Sequence, residues 1–118
     1  MKSDNIVVDK SKRFAIRIVK LYKYLGERKK EHVLSKQLLR CGTSIGANVR
    51  EGVYGQTKKD FLAKMCIGLK EASETAYWLE LLCETGYLTR RQYDDIDSDC
   101  TELIRLLTAI VKTTKSKK

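Results

Sequence analysis

No proline occurs anywhere in the 118 residues, and apolar residues recur at spacings of three and four in four successive stretches. A strand would alternate at two, so each stretch reads as an amphipathic helix. The first carries Phe14, Ile18, Leu21 and Leu25. The second carries Leu34, Leu38, Cys41, Ile45, Val49 and Gly52. The third runs through Phe61, Met65, Gly68, Leu69, Ala72, Ala76, Leu79 and Cys83, and the fourth through Tyr93, Ile96, Cys100, Leu103, Leu107 and Ile110. Four such stripes with short connections predict an all-α, antiparallel up-down-up-down four-helix bundle. Its helices are expected over about 9–26, 34–54, 58–85 and 89–113, within one domain spanning 9–114. Residues 1–8 are expected to be extended or disordered, and 115–118 to form a basic tail.

End signals fit these limits. Asp9 and Ser35 are candidate N-caps, and Gly26 and Gly55 candidate C-terminal residues, Gly55 with a positive φ. Thr57 with Asp60 resembles a partial capping box, and Thr89 with Gln92 forms a full one. Gly86 is expected to end the third helix, with Tyr87 and Leu88 folding back on it.

Charge is distributed unevenly. The net charge is +9, and residues 1–60 hold 15 Lys and Arg against 6 Asp and Glu, while 61–118 hold 9 against 9. An excess confined to one half points to a polyanionic partner. Lys10, Arg13, Arg17 and Lys20 repeat at three, four and three on one face of the first helix. Lys36, Arg40 and Arg50 add cations on the second, and Arg28, Lys29 and Lys30 concentrate charge at one end. The alternative for such a stripe is a solvated face that aids solubility. The acidic cluster Asp94, Asp95, Asp97 and Asp99 suits a helix N-terminus and is expected to meet a basic neighbour.

The second helix has a polar edge, Arg40, Ser44, Asn48 and Glu51. A serine nucleophile needs an activating base, and none is evident here. The edge is therefore read as a structural polar network that fixes helix register, with a buried Glu51 paired to Arg40 or to a cation of another subunit. Gly42 and Gly46 stand one turn apart inside this helix, where each costs roughly 1 kcal/mol relative to Ala. Close approach of a neighbouring backbone is the expected return.

The third helix is apolar on more than one side. Ile67, Trp78, Leu81 and Leu82 fall off its main stripe, and a bundle with a solvent face cannot absorb them all. They are expected to form an oligomer interface.

The order Leu34, Gln37, Leu38, Arg40, Ser44, Ile45, Ala47, Asn48, Val49, Glu51 and Gly52 resembles the signature of a bacterial four-helix-bundle family. That family is named for proteins encoded in intervening sequences of 23S rRNA genes. Phe61, Gly68, Glu71, Ala72, Glu74 and the segment 77–86 extend the likeness. Cys41, Gly42 and Gly46 depart from it, since small non-glycine residues are usual there. The resemblance implies the bundle, a ring-shaped homo-oligomer of five copies and an association with nucleic acid. It implies no settled activity. The fold is also similar to the accessory protein of diversity-generating retroelements, which works with a reverse transcriptase.

Several function classes find no support. There is no nucleotide-binding glycine loop and no paired nucleophile and base, so no catalytic residue is assigned and the chain is not expected to be an enzyme. Cys41, Cys66, Cys83 and Cys100 stand singly on apolar positions, and His32 is the only histidine. They are read as free thiols in a reducing cytoplasm and a surface loop residue, with no metal and no cofactor. No stretch reaches the ~20 apolar residues of a membrane span. The expectation is a cytoplasmic, non-enzymatic nucleic-acid-binding protein, for RNA more than DNA. It would use Lys10, Arg13, Arg17, Lys20, Lys36, Arg40 and Arg50. The alternative is a scaffold for a protein partner.

Overall fold

An apolar stripe along a helix is satisfied only against other stripes. In the computed structural model, which describes residues 2–117 and the side chains of 5–117, four stripes meet as α1 (Lys2–Arg28), α2 (Leu34–Val53), α3 (Lys58–Glu84) and α4 (Arg90–Ser116). Each helix packs on its chain neighbours and α4 returns to α1, giving a bundle of 48 × 21 × 19 Å. Phe14, Ile18, Leu25, Leu38, Ile45, Val49, Met65, Leu79, Leu103 and Leu107 fill its axis, all fully buried or nearly so.

The packing is tightest where α2 passes α1. A Cβ at Gly42 would lie 2.9 Å from two carbons of Ile18, and one at Gly46 would lie 3.3 Å from the carbonyl oxygen of Ser11. The two glycines thus give the close helix approach that their cost in a helix suggested. On the other flank of α2, a Cβ at Gly52 would meet Lys64 and Met65 at 3.0 Å.

Helix ends differ from expectation in five places, the last of them at the start of α2. α1 starts at Lys2, not Asp9. Val7 is fully buried and lies two turns before Phe14 on the same side, so core contact carries the helix back through the segment expected to be extended. Asp9 lies inside the helix and pairs with Arg13 at 3.2 Å. Met1 lies outside the described residues. Gly26 does not end α1, which continues to Arg28. Gly26 instead makes room for the His32 ring, 3.4 Å from where its Cβ would be. Gly55 lacks the expected positive φ, and among the described glycines only Gly86 has one. α4 runs on to Ser116, where the Thr114 and Ser116 hydroxyls donate back to the carbonyls of Ile110 and Thr113 at 2.7 and 3.0 Å. Residues 115 and 116 of the expected tail are therefore helical, and Lys118 lies outside the described residues.

Two caps match the sequence. Thr57 accepts from the Asp60 N–H at 3.0 Å. Thr89 and Gln92 form the reciprocal box, at 3.1 and 2.9 Å. Gly86, at φ 88°, lets the Tyr87 N–H reach back to the Leu82 carbonyl at 2.9 Å. This satisfies an end carbonyl of α3 and seats Leu88 in the core.

The start of α2 follows another route. Ser35 does not cap it. The cap is Glu31, whose carboxylate accepts from the N–H groups of Val33, Leu34 and Ser35 at 3.0, 2.9 and 2.7 Å. Ser35 donates its hydroxyl back to the Glu31 carbonyl at 3.0 Å. Lys30 makes this possible by adopting a left-handed conformation, φ 55°, which turns the chain so that Glu31 points at the helix end. Burial alone would raise the Glu31 pKa, but the three backbone donors outweigh it and hold the carboxyl below its ordinary value.

Two outcomes follow for stability. A depressed carboxylate pKa stabilises the fold fully above the ordinary glutamate range and loses that contribution as pH falls through the lower folded-state value. Glu31→Gln is expected to cost about 1–3 kcal/mol at neutral pH and to reduce the fall in stability on acidification, both read by urea unfolding. Lys30→Gly removes the left-handed strain of an L-residue and is expected to add about 1 kcal/mol in the same measurement.

Candidate nucleic-acid interface

The basic stripe of α1 faces α4. α1 is fixed against α2 by its small and branched side, so Lys10 and Arg17 project over the opposite seam. There α4, running antiparallel, carries Asp95, Asp99 and Glu102 at spacings of four and three. Arg17 donates to Asp99 at 2.6 Å and to Asp95 at 2.7 Å. Lys10 meets Glu102 at 3.1 Å. Gln92 donates to the Tyr24 hydroxyl at 3.3 Å and extends the seam. The acidic cluster on α4 thus meets a basic neighbour, as its sequence suggested. Burial opposes the charge on Arg17, but its two carboxylates raise its pKa above the ordinary value.

This places most of the expected α1 cations in ion pairs within the chain. Of the four α1 cations, Lys10, Arg13 and Arg17 are neutralised by carboxylates, and Lys20 forms no ion pair among the described residues. The sequence shows the basic stripe but not its partner. The complementary spacing of Asp95, Asp99 and Glu102 was the signal available to find it.

Arg40 is also occupied. It reaches across to α3, with Glu71 at 3.4 Å and a close contact to Glu74. Glu74 also accepts from the indole N–H of Trp78 at 3.1 Å. The polar edge of α2 is not one network. Ser44 donates to the Arg40 carbonyl at 2.6 Å and Asn48 to the Ser44 carbonyl at 2.8 Å, both within the helix. Glu51 is exposed rather than buried and pairs with Lys64 of α3 at 2.8 Å. The edge therefore ties α2 to α3 at its two ends, through Arg40 and Glu51.

Two groups of cations stand without an ion pair among the described residues: Lys58, Lys59, Lys112, Lys115 and Lys117 lie exposed where α3 begins and α4 ends, and a second group lies at the opposite end of the bundle. Lys20, Lys23, Arg28, Lys29 and Lys30 run along the outer side of α1 into the first connection, and Lys36 stands on the first turn of α2; all are exposed. A shallow cavity of about 410 Å³ opens at this end, lined by Tyr22, Lys23, Gly26, Glu27, Lys30 and His32. Glu27 is its one carboxylate. Arg50 and Lys12 lie at the far end of the α1–α2 face. Lys12 and Lys23 were not singled out from sequence. Their distinguishing feature is helical position, on the side of α1 turned away from α4.

The expected oligomer face is divided. Ile67 is 41% exposed and Leu81 is half-buried, but Leu82 is fully buried among the core side chains and belongs to the subunit's own interior. Trp78 is half-buried against that core. Tyr77, 56% exposed and edge-on to Trp78 at 5.2 Å between ring centres, adds an exposed ring to this face. A helix apolar on more than one side leaves the choice of face to the tertiary fold.

The four cysteines are free, and burial pushes the Cys100 thiol up to about 12 and raises that of Cys41. Neither is a ready thiolate. Among the described residues no three His, Cys, Asp or Glu side chains are placed to hold a metal. No described helix is long and apolar enough to cross a membrane.

Four helices with a basic end and no assembled catalytic set among the described residues define a basic all-α bundle. Comparison gives the class a name: residues 3–109 match the family described as 23S rRNA-intervening sequence protein, and the chain belongs to it. A crystal structure of a protein of unknown function from the S23 ribosomal protein family of Bacteroides thetaiotaomicron is similar, with 57% identity. The match covers 93% of this chain and 98% of that one, with a TM-score of 0.91. No curated protein matches the chain significantly.

The seam assigns Arg17 a structural role. Its side chain is about one-third exposed, so water and salt screen the pair. Arg17→Ala is expected to lower unfolding free energy by about 1 kcal/mol at low ionic strength, and by less in high salt. Denaturant titrations at two salt concentrations measure both.

Proposed function

We propose that this protein is a non-enzymatic, self-associating, nucleic-acid-associated protein that grips phosphate through the basic end of its α1–α2 pair. The observation that carries this is the group Lys20, Lys23, Arg28, Lys29, Lys30 and Lys36. These cations are exposed and unneutralised among the described residues, whereas those facing α4 are consumed by carboxylates. Phosphate contacts of this kind position a backbone without reading bases. The description of the family, which ties it to 23S rRNA, supports RNA over DNA. Tyr22 beside Lys23 and Lys30 offers one ring for an unstacked base. Several copies in a ring, as the family resemblance implies with five, would repeat this end around an axis and let weak contacts add.

A second reading, a scaffold for a protein such as a reverse transcriptase, draws on the exposed Ile67 and Tyr77 of α3.

Fluorescence anisotropy with a labelled structured RNA separates the parts of this proposal. Affinity is expected to fall steeply with salt, with a log–log slope of about −0.9 for each phosphate neutralised on a duplex. Lys23→Glu with Lys30→Glu is expected to weaken binding by tenfold or more and to flatten the slope. Arg17→Ala is expected to leave affinity within about twofold, since a locked ion pair has little to offer a phosphate. A flat salt dependence, or no binding, contradicts the proposal.

A further inference from the structure

The bundle has a second basic end, opposite the first. α3 begins there with Lys58 and Lys59, and α4 finishes there with Lys112, Lys115 and Lys117. The Lys58 ammonium donates to the Lys117 carbonyl oxygen, so the two helix ends touch. Helix stability accounts for only part of this charge. Lys115 and Lys117 close α4, at the negative end of its dipole, but Lys58 and Lys59 open α3, at the positive end, where a cation is unfavourable. Asp60 is the acidic residue in that first turn, and Glu51, at the end of α2, is held by Lys64. Cations gathered against local preference call for an anion from outside the chain.

An aromatic ring stands beside them. Tyr54 is 78% exposed, more than any other large apolar side chain among the described residues. The turn that carries it is fixed. Gly55 donates to the Gly52 carbonyl at 3.1 Å, and a Cβ on Gly55 would lie 3.3 Å from that of Asp60. The ring is therefore held against the start of α3. A fixed, exposed ring next to ammonium groups suits an unpaired nucleic-acid strand, whose base stacks on the ring while its phosphates meet the cations. A lipid surface suits it less, since Gly55, Gln56 and Thr57 surround the ring and an interfacial anchor needs a broad apolar face.

We propose that this end, with Tyr54, Lys58, Lys59 and Lys115, is a second nucleic-acid site that takes an unpaired strand. It extends the functional reading above from one stretch of nucleic acid to two, and the two sites can fail separately. Lys112, Lys115 and Lys117 lie beyond the residues matched to the family, so membership does not supply the site. The first end belongs to the α1–α2 turn and the second to the α3–α4 side, at opposite ends of a bundle 48 Å long. Between Glu80 and Asp99 the α3–α4 side carries six carboxylates against Arg90 and Arg91, which repel a strand running up that side from the second end.

Calorimetric titration at low salt with a four-nucleotide oligouridylate, too short to reach both ends, counts strands per chain whatever the state of assembly. Two are expected for the unaltered protein. Lys59→Glu with Lys115→Glu leaves the Lys58–Lys117 contact in place and is expected to leave one strand. Lys23→Glu with Lys30→Glu disables the first end and is also expected to leave one. In that second background, Tyr54→Ala is expected to weaken the remaining strand about tenfold, and Tyr54→Phe to restore it. Circular dichroism checks helix content; should the Lys59 and Lys115 pair lose it, the Tyr54 variants carry the test. A single strand per chain that Lys23→Glu with Lys30→Glu removes, and that the Tyr54 and Lys59 variants leave alone, overturns the second site and spares the functional reading. A single strand with the opposite pattern overturns the functional reading and upholds this site. No binding overturns both. Capture on phosphatidylserine vesicles through Lys59 and Lys115, with oligouridylate binding indifferent to Tyr54→Ala, makes this end a lipid contact and overturns the proposal.

Discussion

The bundle depends on how near α2 comes to α1. Gly42 and Gly46 let the two backbones approach until a single added carbon would press on Ile18 or on the Ser11 carbonyl. That contact fixes the rotation of α1 about its own axis. Once Ser11, Ala15 and Ile18 are turned toward α2, Lys10 and Arg17 must look over α4, while Lys12 and Lys23 look outward. Local sequence thus decides which cations are structural and which remain available, through one tight seam.

The second seam is of another kind. Against α4, α1 is joined through Arg17, Lys10 and the Gln92–Tyr24 contact over a thin layer of apolar side chains. Partly exposed ion pairs contribute little stability each. Their value here is in register, since a bidentate Arg17 is satisfied only when Asp95 and Asp99 lie at the correct height. On the far side, Arg40 and Glu51 do the same for α2 against α3. Charged side chains therefore align all four helices of the bundle, in the pairs α1–α4 and α2–α3.

The helices and their buried stripes were legible because a repeat of three and four leaves no alternative in a chain without proline. The capping residues Thr57 and Thr89 were legible because a cap acts within three residues of itself. Glu31 was not, although it is equally local. Its role needs the left-handed turn at Lys30, and a lysine there gives no sign of one. The start of α1 was missed because Val7 extends the core before the first clear repeat. Leu82 was assigned to the outer face because periodicity cannot choose between faces on a helix that is apolar on more than one side. The α1 cations were placed on one face correctly, yet their partners stand some eighty residues away on α4 (|i−j| of 78 and 82 for Arg17). A stripe read alone says nothing of the stripe it meets.

The account turns on a division of the cations: those facing α4 hold the fold, and those around the α1–α2 turn hold a polyanion. Backbone amide shifts of the labelled protein, followed by NMR during titration with a structured RNA, test this division residue by residue. The account expects shifts to concentrate between Lys20 and Lys36 while Arg17, Asp95 and Asp99 stay in place. Shifts gathered instead along Lys10, Arg13 and Arg17, with the α4 carboxylates moving in step, would contradict it.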